Sequence, residues 1–276
     1  MHSLFIRSIA LCLLLCLSPA GNIRVGEPET TALPASGDEA EQSTVEIVTD
    51  EQLDEGYLDE WFDGSVLVGD SLSAGFAGYV QSERYEKRPC LGDMTIVSAS
   101  ALTLKKALEC EQKKRVPELK YRGRYMTIAE VVAATETKRL FIDLGVSDLR
   151  WYTPEEFIEA YDTLIGIVKE SAPEVEIYVN SVVPMIESYA QMVNLTAEQN
   201  RDINQRLRAY CEEKGYGYVE MADPVRDENG YLDRTCSASD YRFHLNRKGK
   251  ALWVRALRET ARQAYYDGKW APGGNG

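Results

Sequence analysis

Short apolar runs alternate with longer amphipathic ones through the middle and C-terminal part of the chain. Ser65–Val68 (SVLV) reads as a first strand, and Met94–Ser98 (MTIVS) as a second, followed by a helical stretch through Cys110. Thr127-Ile-Ala-Glu130 is a capping box that opens the helix TIAEVVAATET, which leads into the strand RLFIDLG. Thr153 caps a helix with proline at its first position and Glu156 three residues on. That helix stops at Ala172-Pro173, before the strand VEIYVNSVV. Thr196-Ala-Glu-Gln199 opens a helix ending at Lys214-Gly215, the short strand YGYVEM follows, and a final amphipathic helix covers about Arg247 to Tyr266. Five strand–helix alternations with short connections predict βαβ units. Apolar strands of four to seven residues predict burial on both faces. The fold class is α/β: a three-layer α/β/α sandwich around a five-stranded parallel sheet.

The two ends of the 276-residue chain lie outside this pattern. Residues 1–20 carry one cation (Arg7), an apolar run from Ile9 to Leu17, and then Ser18-Pro19-Ala20, the layout of a cleavable secretory signal. The run is shorter than the roughly 20 apolar residues of a spanning helix. It predicts a secreted or cell-surface protein with no stable membrane insertion after cleavage. A lipoprotein anchor at Cys16 is the other reading, but Leu15 is bulky where such sites take a small residue. Residues 21–60 are acidic, rich in Thr, Ser, Pro and Ala, and predict a disordered linker. One domain of about 200 residues remains, 61–268, with 269–276 as a flexible tail.

Net charge is −13, without any basic run or basic–aromatic alternation, which argues against nucleic acid as a partner. No cysteine or histidine spacing suits a metal, and no cofactor motif occurs. Cys90, Cys110, Cys211 and Cys236 permit two disulfides in an exported chain, in three connectivities. Buried free thiols are the alternative. The sequence leaves the oligomeric state open.

In an open parallel sheet, chemistry gathers at the carboxyl ends of the strands. Three polar segments fall there: Gly69-Asp70-Ser71-Leu72, Gly145-Val146-Ser147-Asp148, and the stretch from Ser239 to Asn246 before the last helix. Ser71 suits a nucleophile exposed at a strand end, or a helix N-cap. His244 is the only histidine beyond His2, so any imidazole proton shuttle in the mature chain uses it. Asp148 reads as a supporting or helix-capping group. Trp151-Tyr152 suits either stacking on a sugar ring or burial beneath the next helix. Asn194-Leu-Thr196 is either a glycosylation sequon or a plain helix cap.

The ordered set GDSL at 69–72, Gly-x-Ser-Asp at 145–148 and His244-Leu245-Asn246 with Gly249 resembles the SGNH, or GDSL-type, hydrolase superfamily, from about Ser65 to Leu257. VNSVVPM and Asn204 resemble that family's fourth strand and following helix. The resemblance implies a flavodoxin-like SGNH sheet and serine-esterase chemistry without metal or organic cofactor. Ser71 would be the nucleophile, His244 the base and Asp240 the acid orienting it. Oxyanion donors would be the Ser71 amide, the amide of Ser100 or Ala101, and the side chain of Ser147. Three positions depart from the family pattern. Ser147 replaces an asparagine, no glycine follows the second strand, and Asp240 precedes His244 by four residues rather than two or three. A loop bulge at Tyr241, or a backbone carbonyl in place of Asp240, would orient the ring. The implied substrate is a small ester or acylated carbohydrate, the acyl group as small as acetyl. The alternatives are an O-acyltransferase using the same residues and a degenerate domain that only binds a glycan or surface partner.

Overall fold

The computed structural model describes residues 57–273. The predicted signal segment and nearly all of the predicted linker lie outside the described residues. The linker's last four residues do not behave as linker: Tyr57–Phe62 forms a 3-10 turn in which Leu58, Asp59, Trp61 and Phe62 are buried. Trp61 meets Phe141 and Tyr178 edge-on, and Asp59 takes two hydrogen bonds from Arg258. The tail boundary also moves, because Trp270 packs on the core.

Five parallel strands form the main sheet: β1 (Ser65–Gly69), β2 (Thr95–Ser98), β5 (Arg139–Asp143), β6 (Glu176–Asn180) and β7 (Gly217–Val219), in the order β2-β1-β5-β6-β7. The flavodoxin-like order places a topological switch beside β1, whose neighbours β2 and β5 lead to opposite edges. The register pairs Gly69 with both Ser98 and Asp143, so three strands end level there.

The helices are α1 (Ser71–Tyr85), α2 (Leu104–Glu111), α3 (Ile128–Thr135), α4 (Pro154–Ser171), α5 (Glu187–Met192), α6 (Ala197–Lys214) and α7 (Arg247–Tyr266). Thr127, Thr153 and Thr196 each cap their helix in a reciprocal capping box, with Glu130, Glu156 and Gln199. Thr196 therefore has the capping role open to it in the sequence. α1 packs on α7 through the Phe76–Trp253 ring stack, centroids 4.0 Å apart, while α4 packs against α2, α3 and α6. Among the described residues no helix is long and apolar enough to cross a membrane.

The sequence pattern did not anticipate a small antiparallel hairpin, β3 (Leu119–Tyr121) with β4 (Arg124–Met126), nor the short α5. Of the two readings of the cysteines the structure has the second: Cys90, Cys110, Cys211 and Cys236 are all buried free thiols, and no disulfide joins them. Burial pushes the Cys211 thiol up to about 12 and that of Cys90 to about 11.

Candidate active site

Every residue of β1 is buried, so the chain surfaces only where the strand ends. Gly69 makes the exit possible, since a Cβ there would overlap the Ser73 hydroxyl and come within 2.6 Å of the Asp143 carbonyl. Asp70 then caps α1: its Oδ1 accepts from the Leu72 amide at 2.8 Å. The capping role open to Ser71 thus belongs to its neighbour. Ser71 is the first residue of α1, with a backbone N–H that the helix leaves without an acceptor.

Ser71 Oγ lies 2.8 Å from His244 Nε2, and Asp240 Oδ2 is bonded to His244 Nδ1. The four-residue spacing closes because the loop bulges. Tyr241 adopts the left-handed region (φ 49°), its amide bonds to Ala238, and the Ala238 amide bonds to the His244 carbonyl. A left-handed tyrosine costs about 1–2 kcal/mol, and the turn around it holds Asp240 under the ring. His244 and Asp240 side chains are each about one-third exposed.

The turn after β2 is fastened by Ala99 N donating to Gly69 O and Leu102 N to Ala99 O. Ser100 and Ala101 form its exposed tip, and neither amide is used by the turn itself. Ser147 sits half-buried in the turn after β5, where Asp148 N bonds to Gly145 O. Gly145 (φ 117°) packs so closely on Phe157 that a Cβ would stand 2.5 Å from its ring. Asp148 is buried and accepts from the amides of Leu104 and Lys105, so it caps α2 and ties the Ser147 turn to it. Burial pushes its carboxyl up, against the lowering effect of those two amides. Trp151 and Tyr152 part company: Trp151 is 69% exposed, while Tyr152 packs against the core.

A buried polar cluster lies beneath the serine, and sequence reasoning missed most of it. Ser73 Oγ donates to Asp143 Oδ2 at 2.5 Å, and Asn180, level with Asp143 across the β5–β6 pairing, is buried beside it. Burial pushes the Asp143 carboxyl up to about 6. Asp70 is raised well above the usual carboxylate range by burial first and by the Asp143 charge second. The available signal was Asp143 itself, a carboxylate closing the otherwise apolar strand RLFID.

Asn204 grips the loop after β6, accepting from Val182 N at 2.7 Å and donating to Val182 O at 2.9 Å. Between that loop and the Ser147 turn is a cavity of about 30 Å³, lined by Ser147, Arg150, Met185, Tyr189 and Phe243 among others. The Phe243 ring centroid lies 4.6 Å from that of His244. A far larger groove of about 900 Å³, between α7 and the β6–β7 edge, contains none of these residues.

A three-layer sandwich of flavodoxin-like strand order, with a serine–histidine–aspartate chain at its switch point, defines the class as a hydrolase scaffold arranged for nucleophilic catalysis. The sequence matches the GDSL-like Lipase/Acylhydrolase family over residues 67–252, and the chain belongs to that family; it is a serine hydrolase acting on carboxylic esters. Its fold is similar to a GDSL-like lipase of Bacteroides thetaiotaomicron, at 14% identity and TM-score 0.56 over 72% of this chain and 88% of that one. It is similar also to an acylhydrolase structure from Bacteroides fragilis, at 11% identity and TM-score 0.56 over 72% and 86%. A Streptococcus structure described as a platelet activating factor aligns at 17% identity and TM-score 0.53, over 76% and 94%. No curated protein matches the sequence.

Proposed function

We propose that the chain is an exported esterase that removes a small acyl group, acetyl foremost, from a carbohydrate through an acyl-Ser71 intermediate. The observation that carries this reading is the 2.8 Å contact between Ser71 Oγ and His244 Nε2, which joins residues 173 apart in sequence. With Asp240 accepting from Nδ1–H, Nε2 is left as the acceptor. As Ser71 Oγ attacks the carbonyl carbon, its proton passes to Nε2, and Asp240 stabilises the imidazolium. The oxyanion takes hydrogen bonds from the Ser71 amide, a tip amide at Ser100 or Ala101, and the Ser147 hydroxyl. His244 returns the proton to the departing alkoxide. It then deprotonates a water that attacks the acyl-serine, releasing the acid and restoring Ser71.

Acyl size follows from the cavity beside Ser147 and Phe243, whose 30 Å³ holds one or two water-sized groups. A cavity of that size supports a short acyl group such as acetyl over a longer chain. The exposed Trp151 ring, four residues beyond Ser147, supports a sugar as the other half of the ester. The N-terminal pattern of residues 1–20 supports export.

A series of p-nitrophenyl esters from acetate to octanoate tests the reading. The expected kcat/KM is highest for acetate and at least tenfold lower by hexanoate, the scale on which pockets discriminate methylenes. A maximum at octanoate overturns the small-acyl assignment, and background rates for every chain length overturn the esterase mechanism.

A further inference from the structure

We propose that the ester substrate is an acidic sugar, with its carboxylate or phosphate held at the mouth of the site by Arg150 and Arg242. This deepens the small-acyl esterase reading and rests on it.

The protein as a whole carries −13, yet three cations without a carboxylate partner lie close to the catalytic residues. Arg150 lines the cavity shared by Ser147 and Phe243. Its guanidinium rests on the exposed Trp151 ring, 4.9 Å from the centroid. Arg242 sits over Tyr189, another wall of that cavity, at 5.5 Å. One guanidinium therefore lines the cavity and a second stacks on one of its walls, each steadied by an aromatic face, and both are exposed. A third cation reaches the nucleophile's helix from α7. Lys250 Nζ lies 3.4 Å from where a Cβ on Gly75 would be, one helical turn beyond Ser71.

No carboxylate among the described residues pairs with any of the three. The nearest acids are occupied elsewhere. Asp240 bonds to His244 and to the Arg242 backbone amide, Asp148 caps α2, and Glu187 on α5 holds Gln191. Lys250 is half-buried, and the loss of water pushes its ammonium down, as expected of a cation with no counter-charge. Elsewhere on the surface arginines do find acids: Arg206 meets Asp202 and Glu155, and Arg208 meets Glu220. Cations left unpaired only need an anion if something brings one, and here a ligand must enter. A guanidinium fork matches both carboxylate and phosphate geometry. Trp151 is 69% exposed, and the face that Arg150 leaves uncovered suits the ring of the sugar that carries the charge.

Three acetylated monosaccharides that differ only at C6 test this: acetylated glucose, acetylated glucuronate and acetylated glucose 6-phosphate. In the wild-type protein at least one charged probe is expected to have a kcat/KM tenfold or more above the neutral one. Whichever charged probe leads identifies the anion. The advantage should shrink in 0.5 M NaCl, since exposed charges are screened within about one Debye length. In the double variant Arg150→Gln/Arg242→Gln, and to a lesser degree in Lys250→Gln, the charged-to-neutral ratio should fall toward one. Equal turnover of all three probes by the wild type, or a ratio unchanged in the double variant, overturns the proposal while leaving the esterase reading standing. Absence of turnover on all three and on p-nitrophenyl acetate overturns both.

Discussion

Replacing Ser71 with alanine is expected to lower kcat by on the order of 10⁴-fold or more and to leave the fold intact. The fold survives because Asp70, not Ser71, caps α1, and alanine at the first helical position keeps the helix start. His244→Gln should cost a comparable factor, since among the described residues the 2.8 Å contact is the only route by which the Ser71 proton reaches an imidazole. Groups that act as one unit are not additive, so the double variant Ser71→Ala/His244→Gln should be no slower than either single one. Steady-state kinetics on p-nitrophenyl acetate measure all three. A double variant slower than both singles by the product of their effects contradicts the relay, as does a Ser71→Ala protein with near wild-type turnover. Asp240→Asn should lose less, because its side chain is about one-third exposed and water takes over part of its role.

The second large effect concerns stability. The Asp143 carboxyl sits at about 6 in the folded protein, above its unfolded value near 4, because burial disfavours the charge. The stability this group contributes is therefore complete below about pH 4 and lost as pH rises through about 6. Two pKa units correspond to a penalty on the order of 2–3 kcal/mol above that window. Asp143→Asn removes the penalty and keeps an oxygen to accept the Ser73 hydroxyl bond. The variant should be more stable than wild type at pH 7.5 by about 2 kcal/mol and nearly equal to it at pH 4. Urea unfolding at the two pH values measures this, and parallel pH profiles for the two proteins would falsify it.

Much of the scaffold was legible because it is written in local chemistry. The Thr-x-x-Glu and Thr-x-x-Gln boxes at 127, 153 and 196 form as read, and the central strands β1 and β5 are buried as read, while the edge strands β2 and β7 are largely half-buried. The β3–β4 hairpin was hidden by its own surface. LKY and RYM mix charge with aromatics, and the turn depends on Arg122 and Gly123 both taking positive φ, a feature of backbone more than of hydrophobic pattern. Residues 57–60 were read as linker because Asp59 and Glu60 continue the acidic run before them, although Leu58 is buried and the adjoining Trp61 and Phe62 anchor the turn.

The site divides in the same way. Ser71 and His244 were legible from neighbouring motif residues. The Asp240 contact depended on Tyr241 adopting a left-handed backbone, which no side-chain pattern announces. The buried group of Asp70, Ser73, Asp143 and Asn180 is assembled by the sheet register that sets β1 beside β5 and β5 beside β6, so spacing along the chain carries no trace of it.

Covalent capture by a fluorophosphonate reports an activated serine directly, without any knowledge of the substrate. The expected result is one adduct per chain, mapped to Ser71, absent in Ser71→Ala and formed far more slowly in His244→Gln. A wild-type protein that stays unlabelled, or an adduct on any other residue, contradicts Ser71 as the nucleophile.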